Sequence, residues 1–212
     1  MDEPLGALDK KLRDQMQLEI KRLHTRLGIT VLYVTHDQEE AMIMSDRICV
    51  LNDARIEQVG SPHELYFRPE SVFVASFLGE SNLLRADVVA NRGERLVMRT
   101  ATGSEVHAPM PRSLGAGGPV TLMVRPESLS LLSPSEHADN VIEGDLRDVI
   151  MVGGVTKFYV EVADDLVLAA NALTSQAPAT VAPEGRVRLG WSAGDTVVLG
   201  PGGEPTEMAA TA

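Results

Sequence analysis

The chain has 212 residues, 44% of them hydrophobic, with 30 acidic against 19 basic side chains and a formal net charge of −11. That length allows one or two domains with separate cores, and the apolar content excludes an intrinsically disordered chain. The acidic balance argues against nucleic acid or an anionic membrane as the main partner, because phosphate recognition needs clustered Lys and Arg.

In chain order, Asp2 and Glu3 open an acidic N-terminus, opposite in sign to a secretory signal peptide. The apolar strand that would support such a pair is expected before residue 1. Leu12, Met16, Ile20, Leu23 and Leu27 recur at three- and four-residue spacing and predict a helix over Lys10–Leu27 with one apolar stripe. Asp9 suits its start and Gly28 its stop. Residues 29–34, Ile-Thr-Val-Leu-Tyr-Val, form a continuous β-branched run expected as a strand buried on both faces of a parallel sheet. Thr35 is expected to begin a second helix, with Gln38 at the capping-box position. Residues 47–51 and 55–59 flank Asn52-Asp53-Ala54 as a hairpin. The single cysteine, Cys49, falls in that apolar run and reads as core; alone it offers neither a disulfide nor a metal set, which fits the cytosol. Ser61-Pro62-His63-Glu64 is a helix start and Pro69 a stop. Residues 71–78 predict another helix, with Phe73 and Phe77 on one face. No apolar run reaches the ~18–20 residues of a membrane-spanning helix.

After Gly79 the texture changes to short β-rich runs punctuated by glycine and proline. Strands are expected over 84–89, 95–100, 120–125, 141–152, 156–162, 167–170, 186–189 and 196–199, which suggests a small sandwich or barrel. Residues 133–139 are polar and read as a loop, and Gly153-Gly154 reads as a turn between strands. Trp191, the single tryptophan, is expected in the core. The fold class expected is an α/β remnant over 1–80 followed by an all-β OB-like domain over 81–200, with a disordered tail over 201–212.

The opening residues carry the chemistry. An aspartate at the C-terminal end of a strand holds Mg²⁺, usually through water, while the ion bridges phosphate oxygens. A glutamate beside it orients or deprotonates the attacking water. His36 sits just past the predicted strand, where α/β sheets place functional groups, within reach of a γ-phosphate. Asp9 is an interface or capping group. Taken singly, an Asp-Glu-Pro triplet is a solvated turn and a lone histidine near a helix start is a cap; the order and spacing favour the joint reading.

Asp2-Glu3-Pro4-Leu5-Gly6-Ala7-Leu8-Asp9 resembles the end of the Walker B strand and the D-loop of ABC-transporter ATPase subunits. Val34-Thr35-His36-Asp37-Gln38-Glu39-Glu40-Ala41 resembles their H-loop. Arg47-Ile48 through Ser61-Pro62 is similar to the strand pair closing that domain. Phe73 through Asn82 is similar to the junction into the regulatory domain of sugar, polyamine and ferric-iron importers, and Val124-Arg125-Pro126-Glu127 to a signature of that paired OB-like domain, called TOBE. The resemblance implies that Asp2 is the magnesium-associated aspartate, Glu3 the general base, His36 the γ-phosphate sensor, and Asp9 the D-loop aspartate at the nucleotide that meets the opposite subunit. It implies ATP and Mg²⁺ as cofactors of the full-length parent. Its implied partners are a second ATPase subunit, transmembrane permease subunits and, indirectly, a solute-binding protein, at the cytoplasmic face of the cell membrane. Gly6 stands where the family often has serine, removing a hydroxyl contact.

No Gly-Lys pair and no Leu-Ser-Gly-Gly-Gln run occurs in the sequence, so neither the phosphate-cradling loop nor the family signature is present. The chain alone is therefore expected neither to bind ATP tightly nor to hydrolyse it. Two other readings stand beside this one: a non-catalytic dimerisation or regulatory module, with Ser81, Asn82 and the turn region at 149–158 as its surface, and a β-domain binding a small ligand or oxyanion. Related folds bind molybdate, but no clustered basic pocket is visible. An OB-like fold also suits single-stranded nucleic acid, yet 4% aromatic residues leave few stacking platforms. Arg125 and Glu127 are expected as a strand-end ion pair.

Overall fold

The computed structural model describes residues 3–5, 8–111, 118–177 and 185–200. The predicted tail at 201–212 lies outside them. The chain divides into two compact units, one of residues up to Glu70 with Phe77–Gly79 and one of Ser71–Ser76 with the residues from Glu80 onward.

In the first unit, helix α1 (Lys10–Leu27) is capped by Asp9, whose carboxylate accepts from the Leu12 N–H at 3.0 Å. It ends on Gly28, left-handed at φ 63°, whose N–H reaches the His24 carbonyl. Helix α2 (Gln38–Met44) starts at Asp37 rather than Thr35. The Asp37 carboxylate accepts from the Glu39 and Glu40 amides, while the Thr35 hydroxyl accepts from the Asp37 amide and so forms the turn leading in. Gln38 uses its side-chain oxygen on the Gly79 amide instead of in a capping box. Strands β1 (Ile48–Asn52) and β2 (Arg55–Gly60) form the expected hairpin, with Asp53 and Ala54 both at positive φ as a type I′ turn requires. Helix α3 (Pro62–Phe67) carries a full capping box between Ser61 and Glu64.

Two expectations fail here, and the apolar stripe of α1 is left open. Residues 29–34 form no ladder: Val34 alone is bridged, its carbonyl accepting the Glu3 amide, and Leu32 is 80% exposed. The α1 stripe is exposed at Leu12, Met16, Leu23 and Leu27, and the buried residue of that helix is Gln17. Cys49 is exposed, because β1 alternates Ile48 and Val50 inward against Cys49 and Leu51 outward. Periodicity gives the element and its apolar face, but burial needs a facing layer. Among the described residues none covers these faces.

The second unit is built on two five-stranded antiparallel sheets among the described residues. Helix α4 (Val72–Phe77) precedes them, burying Val72, Val74 and Ala75 and leaving Phe77 exposed, so the face marked by the phenylalanines is not the buried one. One sheet holds β3 (Asn82–Arg92), β4 (Arg95–Thr100), β5 (Glu105–Pro109), β6 (Pro119–Val124) and β12 (Val197–Leu199), in the order β12-β6-β3-β4-β5. The other holds β7 (Ser130–Leu132), β8 (Asn140–Val152), β9 (Val155–Ala163), β10 (Leu166–Leu173) and β11 (Arg186–Trp191), in the order β10-β9-β8-β11-β7. Their inner faces share one core, with Leu84, Leu96, Met98 and Leu122 meeting Ile142, Leu146, Phe158, Leu168 and Leu189. Trp191 is buried in it and donates its indole N–H to Thr196.

Two asparagines clasp the sheets together in the same way. Asn82, at the start of β3, accepts the Ala169 amide at 2.7 Å and donates to the Ala169 carbonyl at 2.8 Å on β10. Asn140, at the start of β8, accepts the His107 amide at 2.7 Å and donates to the His107 carbonyl at 2.9 Å on β5. A strand of each sheet is thus tied through an asparagine to an edge strand of the other. Asn82, expected on a regulatory surface, is buried structure. Arg125 is likewise buried and donates to the carbonyls of Ala75 and Glu80, both at 3.1 Å, and to the Ser81 hydroxyl.

Candidate functional site

The segment before α1 meets the turn before α2. The Glu3 amide donates to Val34 at 2.9 Å, and this backbone link brings the Glu3 carboxylate 2.7 Å from Nδ1 of His36. Glu3 sits at φ 40°, a left-handed conformation that a non-glycine residue holds only where its surroundings impose it. Both side chains of the pair are largely exposed, open to a ligand. The hydrogen bond to Glu3, then its charge, holds the His36 imidazolium above its ordinary pKa, with Asp37 and Glu40 adding to the same effect. An imidazole beside an accessible carboxylate is a competent pair for moving a proton and for donating to an anionic oxygen.

Around the pair lies a set of residues that the sequence motif did not mark. Glu40 is buried and accepts from the Tyr33 and Thr35 hydroxyls, both at 2.9 Å. Burial, together with the hydrogen bond to Glu40, pushes the Tyr33 phenol well above its usual value. Arg13 reaches Asp37 at 3.2 Å and the Leu8 carbonyl at 3.1 Å. No local spacing marked their roles, since Arg13 serves Leu8 and Asp37, and Glu40 serves Tyr33 and Thr35 ahead of α2.

Of the four residues singled out, Glu3 and His36 are brought into contact and Asp9 serves as the α1 cap. Asp2 lies outside the described residues. Among the described residues no three His, Cys, Asp or Glu side chains converge on a point where a metal could sit. The described groups therefore place an exposed carboxylate beside an imidazole.

Residues 122–199 match the TOBE domain family. The chain is similar to spermidine/putrescine import ATP-binding proteins PotA of several bacteria. It is 43% identical to that of Rubrobacter xylanophilus over 202 residues, covering 94% of this chain and 53% of the relative. It is 48% identical to that of Ruegeria pomeroyi over 164 residues, covering 77% and 43%, and 40% identical to that of Nitratidesulfovibrio vulgaris over 208 residues, covering 96% and 56%. The chain belongs with the ATP-binding subunits of ABC importers, as a C-terminal portion with a TOBE domain. It spans about half the length of the curated relatives it matches. The same family accounts for the all-β OB-like architecture, which is also that of a solved structure of the cytoplasmic molybdate-binding protein ModG with molybdate bound. That likeness has a TM-score of 0.51 at 16% identity, over 57% of this chain and 96% of the other, and is one of fold alone. Among the described residues no helix is long and apolar enough to cross a membrane.

Proposed function

We propose that the chain supplies the water-activating and phosphate-sensing edge of the ATP-hydrolysis centre of an ABC importer, joined to its TOBE domain. The division at about residue 80 separates those roles. Glu3 is the general base, His36 the γ-phosphate sensor, Asp2 the magnesium-associated aspartate acting through water, and Asp9 the residue facing an opposite ATPase subunit. The observation that carries this reading is the 2.7 Å contact of Glu3 with His36 in a segment that matches ATP-binding subunits. The names of the relatives favour a polyamine as the solute carried. Docking on membrane permease subunits at the inner face of the cell membrane, fed by a solute-binding protein, follows from the same reading, as does a pair of ATPase subunits.

ATP and Mg²⁺ belong to the complete centre. Without a Gly-Lys phosphate loop in its sequence, this chain alone is expected to be inactive. The test is phosphate release from purified chain with Mg-ATP beside a Glu3→Gln control; release above the control refutes the claim. A second reading, a dimerisation module acting by contact, is favoured by the exposed run Val149, Ile150, Met151 and Val152 at the end of β8. Light scattering after size exclusion decides it, since a strict monomer at high concentration counts against it.

A further inference from the structure

We propose that Arg13 is the positioning residue of the Glu3–His36 pair, tying the segment before α1 to the turn before α2 so that carboxylate and imidazole are presented at a fixed separation. The role given to the pair rests on the function proposed above; the tie itself rests on geometry alone.

The links form a closed ring. Glu3 is held to Val34 through its amide, and Leu8 to the Leu5 carbonyl at 3.1 Å, with Leu5 buried. The Leu8 carbonyl then accepts from one Arg13 Nη and the Asp37 carboxylate from the other. Asp37 adjoins His36 in the chain and closes the ring onto Glu3. Removing Arg13 opens it at the link joining the two segments through side chains.

A planar guanidinium suits this task because its fork serves two acceptors in fixed directions, which an ammonium does not. Arg13 is also held from behind. Its Nε lies 3.9 Å from Glu40 Oε1, too long for a hydrogen bond, and is buried without a partner among the described residues. Glu40 is fixed by Tyr33 and Thr35, so its charge faces Arg13 from a rigid seat. Arg13 itself is anchored in α1, where its amide bonds to the Asp9 carbonyl.

The experiment is residue-resolved amide exchange on the full 212-residue chain, comparing wild type, Arg13→Gln, Arg13→Lys and Asp37→Asn. Arg13→Gln is expected to speed exchange at the Glu3, Leu8, Glu39 and Glu40 amides about tenfold or more, while the β1–β2 hairpin amides stay protected. Arg13→Lys is expected to restore little, and Asp37→Asn, which keeps the cap acceptor, to give a smaller loss at the same amides. The His36 ring shifts in Arg13→Gln are expected to move toward those of Glu3→Gln. Unchanged exchange at these amides overturns the proposal. So does a uniform loss including the hairpin in both Arg13→Gln and Asp37→Asn, which makes Arg13 a general stabiliser. No nucleotide is involved, so failure here leaves the ATP reading standing, and failure of that reading leaves the tie standing.

Discussion

Asn82→Ala removes both hydrogen bonds of one clasp and leaves the Ala169 N–H and C=O buried without partners. Each orphaned backbone group costs about 1–3 kcal/mol, so the pair sets an upper range near 6 kcal/mol. Water entering the vacated space recovers part of this, and an expected loss of about 3 kcal/mol follows, or roughly 10 °C in Tm. Asn82→Asp is expected to cost more than alanine. It replaces the donor facing the Ala169 carbonyl with a second acceptor and buries a charge in a residue only 4% exposed. The assay is urea unfolding followed by the fluorescence of Trp191, which lies buried in the same unit. An unchanged denaturant slope with a lower midpoint assigns the effect to the native state. The same substitution at Asn140 is expected to match it, since the geometry of that clasp repeats within 0.1 Å per bond. A loss below about 0.5 kcal/mol at Asn82, the size of an ordinary surface change, refutes the reasoning.

Three further outcomes follow from particular contacts. A Cβ at Gly144 would lie 2.4 Å from the Glu161 carbonyl of β9, so Gly144→Ala is expected to cost about 1–3 kcal/mol in the same unfolding assay. Glu3→Gln is expected to lower the His36 pKa toward its ordinary value, followed by NMR titration of the ring. The sign follows from the raised pKa: the contribution of the pair is complete below about 6.5 and is lost as pH rises through the folded value, so identical titration in both proteins counts against the contact. Leu32→Ser is expected to change stability by less than about 0.5 kcal/mol while reducing binding of an apolar dye, because Leu32 is 80% exposed; a loss above 2 kcal/mol contradicts that exposure.

What was legible in the sequence depended on how local its cause was. The α1 cap at Asp9, the stop at Gly28, the capping box at Ser61 and the turn at Asp53-Ala54 are each decided within four residues, and each is found as expected. The strands of the second unit follow from period-two patterning against one shared core; β5 and β7 escaped because they are short edge strands with little apolar length. Asn82 and Asn140 are polar residues buried by partners 87 and 33 positions away, which no local pattern encodes. The first unit shows the opposite failure. Its residues 29–34 and its α1 stripe have the composition of a core, yet they are exposed among the described residues. The curated relatives that the chain matches are nearly twice as long. Glu3 and His36 were each singled out from the residues around them, but their contact across 33 positions was not; nor was the Arg13 tie, because a guanidinium that serves Leu8 and Asp37 looks in sequence like any charged residue on the polar side of a helix.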